Sequence, residues 1–326
     1  MSATTLPKSR FGRAGTAVSR IGLGTYHLTS DRSVPHEEAV TMVREAVRLG
    51  VTAIDTAPLY GLGEAEFIVG EALRPIEDEV FLINKVGRFE KSILARHGDA
   101  CYRSKELIRA QFDHSMRLLG RDRLDMLLLH ESDWAEWWDD LTTARGPVME
   151  LVDELKAEGR IGGVGLSARK PEETRRLCDT GRFDSILYVH YCNLVWQESV
   201  DEILPHAEAQ DMGVAIGAPY RQGLLLGGGA EQAARLRAER RASVPPGIVR
   251  RIEEAERIAA EAGLSMPELG LRWLLSQFRV HTVMVGPRTV RELEQNVEWA
   301  AKPPLEESLL KEIAGLQAIE PGSWEV

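Results

Sequence analysis

Short apolar runs alternate with longer amphipathic stretches along the whole of this 326-residue chain. Each run is too short for a helix and is rich in Val, Ile and Leu, which is typical of buried parallel strands. The pattern therefore predicts eight strands. They are IGLG (21–24), TAID (52–55), VFLINK (80–85), DMLLLH (125–130), GGVGLS (162–167), SILYVH (185–190), GVAIGA (213–218) and HTVMVG (281–286).

The stretches between these runs have the periodicity of helices. In the first of them, apolar residues at 39, 40, 43 and 47 recur at a spacing that places them on one helical face. Glycines at 50, 120 and 159 stand just past three such stretches, where a left-handed residue commonly ends a helix. Helices are accordingly predicted over 36–49, 104–119, 148–158, 171–180, 199–210, 266–278 and 289–300.

This strict alternation predicts an α/β fold, either a (β/α)8 TIM barrel or a large doubly wound sheet. Two short runs around Gly15 predict an N-terminal hairpin that caps the barrel, and 305–319 predicts one extra C-terminal helix. The longest connection, roughly 219–250, is expected to be functional because long loops in compact domains usually are. No linker or repeat divides the sequence, so residues 1–326 are interpreted as a single domain.

Composition and charge narrow the class of partner. A net charge of −10 argues against binding to nucleic acid or to an anionic membrane. The three cysteines show no CxxC spacing, so neither a disulfide framework nor a metal site is indicated. The N-terminus lacks the apolar core of a signal peptide, and no apolar run approaches the ~20 residues that span a bilayer. We expect a cytoplasmic protein, monomer or homo-oligomer, that acts on a small molecule.

Polar residues stand at the carboxyl ends of four successive predicted strands. In a TIM barrel these ends form the active-site face, so the side chains are expected to share one mouth. They are Asp55, with Tyr60 in the loop beyond it, then Lys85, His130 and Ser167. A lone histidine or lysine at a strand end is more often structural. Several on successive strands are much harder to explain that way.

The chemistry of this set is coherent. A tyrosine can protonate a developing alkoxide if its pKa is drawn towards neutrality, and the ammonium of Lys85 would do this to Tyr60. Asp55 would supply the counter-charge that a buried lysine needs, and neutral His130 would hold the carbonyl oxygen by a hydrogen bond. No GxxxxGK phosphate loop is present. The set therefore suits proton transfer to a carbonyl, coupled to a hydride delivered by a cofactor.

Four stretches of the sequence resemble the aldo-keto reductase superfamily, in that family's order and spacing. They are IDTAPLYG, NKVGR, LDMLLLH and GVGLSA, and the likeness runs from RIGLGTY (20–26) to VGPRTVRELEQN (285–296). The resemblance implies a (β/α)8 barrel that binds NADPH or NADH without a Rossmann fingerprint. It also implies that Asp55, Tyr60, Lys85 and His130 form the catalytic tetrad.

Three further stretches, KVGRF, YVHYCN and PYRQGLLLGG, look most similar to one branch of that superfamily. This branch holds L-galactose dehydrogenase, D-threo-aldose dehydrogenase and pyridoxal dehydrogenase, so it points to aldehyde or sugar substrates and carbohydrate metabolism.

The resemblance also implies where a cofactor would bind. Residues after the first strand would lie near the nicotinamide ribose, loop 219–226 would wrap the pyrophosphate, and 286–296 would hold the adenosine end. The residues implied are Thr25, Tyr26, Asp55, Ser167, Pro219, Tyr220, Gln222, Gly223, Leu224, Gly286, Arg288, Gln295 and Asn296.

Three positions depart from the family pattern around the nicotinamide. Ala168 replaces a frequent Asn, Val189 falls where Gln is usual, and Gly217 replaces an aromatic residue that often stacks on the ring. The nicotinamide must then be held differently, with Tyr188, His190 and Tyr191 as candidates.

The choice between NADP and NAD depends on the ribose 2′-phosphate. Gly286 stands where some NADPH-specific members have lysine, and the carboxylate of Glu292 would repel a phosphate. Yet TVRE (289–292) also has the form of a capping box, in which Glu292 is structural. Arg288 would then lie just before a helix N-terminus, a favourable place for a phosphate. NADP(H) is therefore slightly favoured over NAD(H).

Aromatic residues follow His130 in the loop HESDWAEWWDD (130–140) and could stack on a sugar ring or an aromatic aldehyde. They could equally pack an inserted helix against the barrel. Arg88 could bind a hydroxyl-rich or anionic substrate, or pair with an acid at the rim. The candidate substrate contacts are Tyr26, Arg88, His130, Trp134, Trp137 and Tyr191.

Two other functions remain open from the sequence. One is a cofactor-binding regulatory module with little turnover, like the potassium-channel β-subunits of this superfamily. The other is an unrelated barrel enzyme, such as an isomerase with Lys85 as a Schiff-base lysine, which the proximity of Asp55 argues against.

Overall fold

Eight parallel strands pair side by side and close into a barrel, in the order β3 to β10 and back to β3. The computed structural model describes residues 6–76, 79–227, 231, 235 and 244–321. The strands are β1 (Lys8–Arg10), β2 (Ala17–Ser19), β3 (Ile21–Gly24), β4 (Ala53–Asp55), β5 (Phe81–Val86), β6 (Leu124–His130), β7 (Ile161–Ala168), β8 (Ser185–Val189), β9 (Gly213–Gly217) and β10 (Thr282–Val285). The predicted TIM barrel is confirmed, and the doubly wound sheet is excluded by the pairing of β10 with β3.

The barrel strands are apolar because both of their faces are buried. All six residues of β5 are buried, for example. Side chains that point inward, including Ile83, Met126, Leu128 and Leu187, fill the interior of the barrel as one apolar cluster. A larger cluster lies between the outer faces of the strands and the surrounding helices. The barrel is therefore a packed core, and ligands have room only at its ends.

Helices surround the barrel. Their bounds are His36–Arg48, Glu64–Leu73, Lys91–His97, Lys105–Leu119, Pro147–Ala157, Pro171–Asp179, Ser199–Glu202, Leu204–Ala209, Pro246–Glu261, Met266–Ser276, Val290–Ala301 and Glu307–Ala314. Six predicted helices agree with these to within two residues, whereas the one predicted over 199–210 is two short helices that meet at Ile203. Within the described ranges, the helices are all too short or too polar to cross a bilayer.

Three helices were not predicted. Helix Glu64–Leu73 is buried on most of its circumference, so it shows no apolar stripe. Helix Lys91–His97 buries none of its residues. Helix Pro246–Glu261 starts directly after Pro245 and has a second proline as its first residue, so its start resembled a loop. The long connection predicted over 219–250 is therefore wrong for 246–250. Residues 228–230, 232–234 and 236–243 of that connection lie outside the described residues.

The amino-terminal end of the barrel is closed by the hairpin of β1 and β2. Phe11, which is 1% exposed, contributes to the inner apolar cluster and packs edge-on against Phe81 with ring centroids 5.3 Å apart. At the surface of the hairpin, the guanidinium of Arg10 forms an exposed ion pair with Asp211 at 2.7 Å. The sequence expectation of a capping hairpin is correct.

Arg251 ties the C-terminal segment to the loop after β8. Its guanidinium is 1% exposed and donates to the carbonyl oxygens of Ile319 and Val195 at 2.8 Å and of Gln317 at 3.3 Å. It also pairs with Glu198 at 2.6 Å. A buried arginine is tolerated here because each side of its planar fork finds an acceptor.

Replacing this arginine provides a test of the C-terminal docking. We expect Arg251→Met to lower the free energy of unfolding by about 3 kcal/mol, because the carbonyls of Val195, Gln317 and Ile319 and the carboxylate of Glu198 lose their donor. Arg250→Met is the matched control, since its side chain is exposed on the same helix. Urea unfolding followed by circular dichroism measures both. Equal stabilities of the two variants would show that the contacts of Arg251 are unimportant.

Candidate active site

A pocket of about 790 Å³ opens at the carboxyl ends of the barrel strands. It is lined by Asp55, Tyr60, Lys85, His130 and Ser167, the residues that the sequence places on four successive strands and one loop. The pocket continues to the start of helix Val290–Ala301. The structure therefore brings the predicted tetrad together at one end of an elongated cleft.

Lys85 and Asp55 form a buried ion pair at the floor of this pocket. Lys85 Nζ donates to Asp55 Oδ1 at 2.5 Å and to the carbonyl oxygen of Thr56 at 2.9 Å. Lys85 is 1% exposed and Asp55 is 5% exposed. Burial acts to lower the pKa of Lys85, but Asp55 and Tyr60 together outweigh it and raise that pKa, so the lysine stays charged.

The backbones of Asp55 and Lys85 are each held by further hydrogen bonds. The carbonyl oxygen of Asp55 accepts from the amide and the hydroxyl of Thr25, both at 3.0 Å. Asn84 accepts from the amide of Lys85 at 2.8 Å and donates to Glu66 at 2.7 Å. Thr25, predicted as a cofactor contact, is fully buried and instead anchors the backbone of Asp55.

Sequence reasoning missed the pair of Asn84 and Glu66. Both side chains are fully buried, and burial raises the pKa of Glu66. The available signal was an amide inside the apolar strand VFLINK and an acid inside the apolar helix Glu64–Leu73. Buried polar residues normally satisfy each other in this way, so they could have been paired.

Tyr60 is held over Lys85 by an unusual turn. Gly61, Leu62 and Gly63 follow it with φ angles of 59°, 54° and 96°, three left-handed residues in succession. Lys85 Nζ lies 4.9 Å from the centroid of the Tyr60 ring. Leu62 carries a side chain in this strained region, where glycine is normally preferred.

The pKa of Tyr60 does not move in the expected direction. Burial raises it, and the opposing effect of Lys85 is too small to reverse this, so the net direction is upward. The prediction that Lys85 draws the phenol towards neutrality is therefore wrong as a net effect. The consequence is a fully protonated phenol at neutral pH, which is the form that can donate a proton.

His130 is neutral at the same site. Burial lowers its pKa well below 6.5, and the positive charges of Lys85, Arg88 and Arg169 act in the same direction. Its ring stands perpendicular to that of Tyr60, with centroids 6.2 Å apart. A neutral imidazole beside a protonated phenol gives two groups that can hydrogen-bond to one carbonyl oxygen, as the sequence analysis expected of the histidine.

The far end of the cleft is shaped by loop 219–226 and the helix that begins at Val290. Tyr220 donates to Asn296 Oδ1 at 2.5 Å, and Asn296 Nδ2 donates to the carbonyl oxygen of Glu292 at 2.6 Å. Ala218 and Gln222 have left-handed φ angles of 52° and 54°, which fold the loop tightly. Asn296 thus joins the loop to the helix, a use of its amide that was not predicted.

Most of the implied cofactor contacts line the cleft. They are Tyr26, Asp55, Ser167, Pro219, Tyr220, Gln222, Gly223, Gly286, Arg288, Gln295 and Asn296. Leu224, which was expected to contribute through its backbone like the rest of its loop, does not line the cleft: its side chain is 3% exposed in the core, and its amide donates to the carbonyl oxygen of Arg221 at 3.3 Å.

The capping box at 289–292 is present in a modified form. Thr289 is the N-cap, and its hydroxyl accepts from the amide of Glu292 at 3.2 Å. The carboxylate of Glu292 returns to the amide of Arg288 at 2.8 Å, one residue before the N-cap. Glu292 is therefore structural in this conformation, although it also lines the cleft. The Arg288 guanidinium is exposed and forms no ion pair with any described residue.

Two predicted aromatic contacts are corrected by the structure. Trp137 is fully buried, and its ring fills the space beside Gly87, where a Cβ atom would lie 1.9 Å from it. It packs the inserted loop and cannot touch a ligand. Trp134 is partly buried and lies under the guanidinium of Arg88, whose central carbon is 5.2 Å from the indole centroid. Its role is to support Arg88, which does line the cleft.

The structure also reduces the set of residues that could replace the missing nicotinamide contacts. Tyr188 is fully buried and donates to the carbonyl oxygen of Arg169 at 3.1 Å. Tyr191 is partly buried, and its hydroxyl accepts from Arg221 at 3.3 Å. Of the three candidates only His190 lines the cleft, where it follows β8 with a left-handed φ of 73°. Tyr191 was also predicted as a substrate contact, and its position beside Arg221 does not support this.

The chain is similar over most of its length to several known oxidoreductases. An NADH-specific methylglyoxal reductase of Escherichia coli strain K12 is 27% identical over 90% of this chain and 93% of its own length. Pyridoxal 4-dehydrogenase of Microbacterium luteolum is 26% identical over 90% of this chain and 92% of its own length. L-galactose dehydrogenase of Arabidopsis thaliana is 26% identical over 88% of this chain and 85% of its own length.

The solved structure of the aldo-keto reductase AKR11C1 from Bacillus halodurans, in its holo form, superimposes with a TM-score of 0.74. It covers 98% of both chains at 24% sequence identity, so it supports the fold. The sequence model of the Aldo/keto reductase family matches residues 20–318. This chain therefore belongs to the aldo/keto reductase family, whose enzymes interconvert carbonyls and alcohols with NAD(P).

Proposed function

We propose that this protein reduces an aldehyde or a sugar-type carbonyl to an alcohol, and catalyses the reverse oxidation, with Tyr60 as general acid and base. The observation that carries the proposal is the grouping of Tyr60, Lys85 and His130 around one space at the floor of the cleft, with Lys85 Nζ 4.9 Å from the Tyr60 ring centroid and the Tyr60 and His130 ring centroids 6.2 Å apart. A protonated phenol and a neutral imidazole face one space beside a buried ammonium. This set can donate hydrogen bonds to a carbonyl oxygen and then supply a proton to it.

Each residue has one task in the reaction. His130 donates a hydrogen bond to the carbonyl oxygen and orients it. The hydride to the carbonyl carbon would come from a nicotinamide cofactor when one is bound in the cleft. Tyr60 gives its proton to the oxygen as negative charge develops there, and Lys85 stabilises the resulting phenolate. Asp55 keeps Lys85 in place, and in the direction of oxidation the phenolate takes the proton back.

The cleft fits a nicotinamide dinucleotide along its length. Ser167 and His190 would hold the nicotinamide end near the tetrad, and Gln222 and Gly223 would meet the pyrophosphate. Arg288 and Gln295, at the start of helix Val290–Ala301, would meet the adenosine end. A helix N-terminus with an unpaired arginine favours a negatively charged group.

The names of the relatives are consistent with carbonyl substrates, since those enzymes are called a methylglyoxal reductase, a pyridoxal dehydrogenase and a galactose dehydrogenase. We infer that this chain acts on a small aldehyde or aldose. The same comparison includes an NADH-specific enzyme, yet the exposed Arg288 and the use of the Glu292 carboxylate to accept from the Arg288 amide favour NADP(H) slightly here.

Tyr60→Phe tests the proposed acid. We expect kcat for reduction of an aldehyde or aldose panel to fall by about 10³-fold, because a positioned general acid typically contributes 10²–10⁴-fold. The Kd for NADPH, measured by fluorescence titration, should stay within about twofold, which reports an intact cleft. A variant that retains a tenth or more of the wild-type kcat would contradict the mechanism.

Arg288→Met tests the cofactor preference. We expect its Kd for NADPH to rise about tenfold, with the Kd for NADH unchanged, because only NADPH carries the 2′-phosphate. Arg291→Met is the matched control, since this arginine is exposed three residues further on, in the first turn of helix Val290–Ala301, and does not line the cleft. If Arg288→Met weakens both cofactors equally, or neither, Arg288 does not read the phosphate.

A further inference from the structure

Two arginines share one carboxylate at the tetrad end of the cleft. Glu131, the residue after His130, accepts from Arg88 through one carboxylate oxygen and pairs with Arg169 through the other at 2.9 Å. All three residues line the cleft. Glu131 has a left-handed φ of 59°, so the chain accepts backbone strain in the turn from which this carboxylate projects.

The backbones of both arginines are held by other side chains. Gln111 donates to the carbonyl oxygen of Arg88 at 2.9 Å and accepts from the preceding amide, that of Gly87, at 2.7 Å. Asp133, which is 1% exposed, accepts from the amides of Arg169 and Lys170 at 3.2 Å and 2.8 Å. The backbone positions from which the two arginine side chains project are therefore fixed in the cleft wall.

The charges at this end of the cleft do not balance. The ammonium of Lys85 is neutralised by Asp55. Two guanidinium groups then face the single carboxylate of Glu131, which leaves one positive charge in excess. The side chains of Arg88 and Arg169 are 32% and 36% exposed, and Glu131 is 15% exposed. Each guanidinium has five N–H donors, more than Glu131 can use, so some of them can reach a ligand.

We propose that Arg88 and Arg169 form an anion subsite, so that the preferred substrate is an aldehyde bearing a carboxylate. This rests on the proposed function, because it names the substrate class of the same site. A planar carboxylate suits paired guanidinium groups, which bind it through parallel N–H bonds. The carboxylate of Glu131 competes with a substrate for the same N–H donors. Its negative charge also offsets the repulsion between the two guanidinium groups.

A purely structural role makes a different prediction. If the cluster only braced the rim, its loss would affect charged and neutral substrates alike. A subsite instead changes the ratio of activity on the charged substrate to activity on the neutral one. Loss of an arginine lowers that ratio, whereas loss of the negative charge of Glu131 raises it. The selectivity between a charged substrate and its neutral isostere therefore separates the two roles.

The experiment compares 4-carboxybenzaldehyde with its neutral amide isostere, 4-carbamoylbenzaldehyde, using NADPH. We expect the ratio of their kcat/KM values to exceed about 10 in the wild type, to fall about tenfold in Arg169→Gln, and to rise severalfold in Glu131→Gln. Arg175→Gln, which removes an exposed arginine from helix Pro171–Asp179, is the control and should leave the ratio unchanged. Equal ratios in Arg169→Gln and the control would overturn the proposal.

Two further measurements distinguish failure of the anion subsite from failure of the proposed function. Turnover of neither aldehyde would count against the proposed function, and calorimetric titration with benzoate and benzamide would then test the subsite alone. Benzoate should bind the wild type at least about tenfold more tightly than Arg169→Gln, with benzamide unaffected. Equal benzoate affinities would reject the subsite. If Arg169→Gln weakens NADPH binding, the arginines serve the cofactor and the proposal is wrong.

Discussion

The buried ion pair between Asp55 and Lys85 is the constraint on which the rest of the site depends. An ammonium that is 1% exposed is tolerated only beside a counter-charge and further acceptors, because removing a charge from water is costly. Asp55 and the carbonyl of Thr56 meet this need, and Thr25 and Asn84 hold the two backbones in register. The barrel supplies the rigidity, since these partners lie on or beside neighbouring strands.

Burial, acting together with this positive charge, decides the protonation states of the neighbouring groups. The charge adds to burial at His130 and keeps that ring neutral, while at Tyr60 it opposes burial without overcoming it. The result is two hydrogen-bond donors next to an ammonium that can stabilise a phenolate once the proton has left. The positive charges of Arg88 and Arg169 act on His130 in the same direction. The same group of positive charges therefore surrounds both the proposed acid and the place where an anionic substrate would bind.

The strand ends were readable from the sequence because period, apolar runs and a polar final residue are local signals. Helix Glu64–Leu73 was not, since burial on most of its surface removes the stripe by which helices are recognised. Trp137 illustrates a second limit, because only the tertiary structure shows that its ring turns inward against Gly87. The direction of the Tyr60 pKa is a third, since it depends on a balance between burial and charge that spacing cannot supply.

The most direct test of this account compares the free energy of unfolding of Asp55→Asn with that of the double variant Asp55→Asn, Lys85→Met. Asp55→Asn leaves Lys85 buried without its counter-charge, and we expect a loss of about 3–5 kcal/mol. Adding Lys85→Met removes the buried ammonium that has no counter-charge and should restore most of that stability. Turnover should stay absent, because the ammonium that stabilises the Tyr60 phenolate is gone. A double variant no more stable than Asp55→Asn alone would show that the two charges are not coupled, and the account of the site would be contradicted.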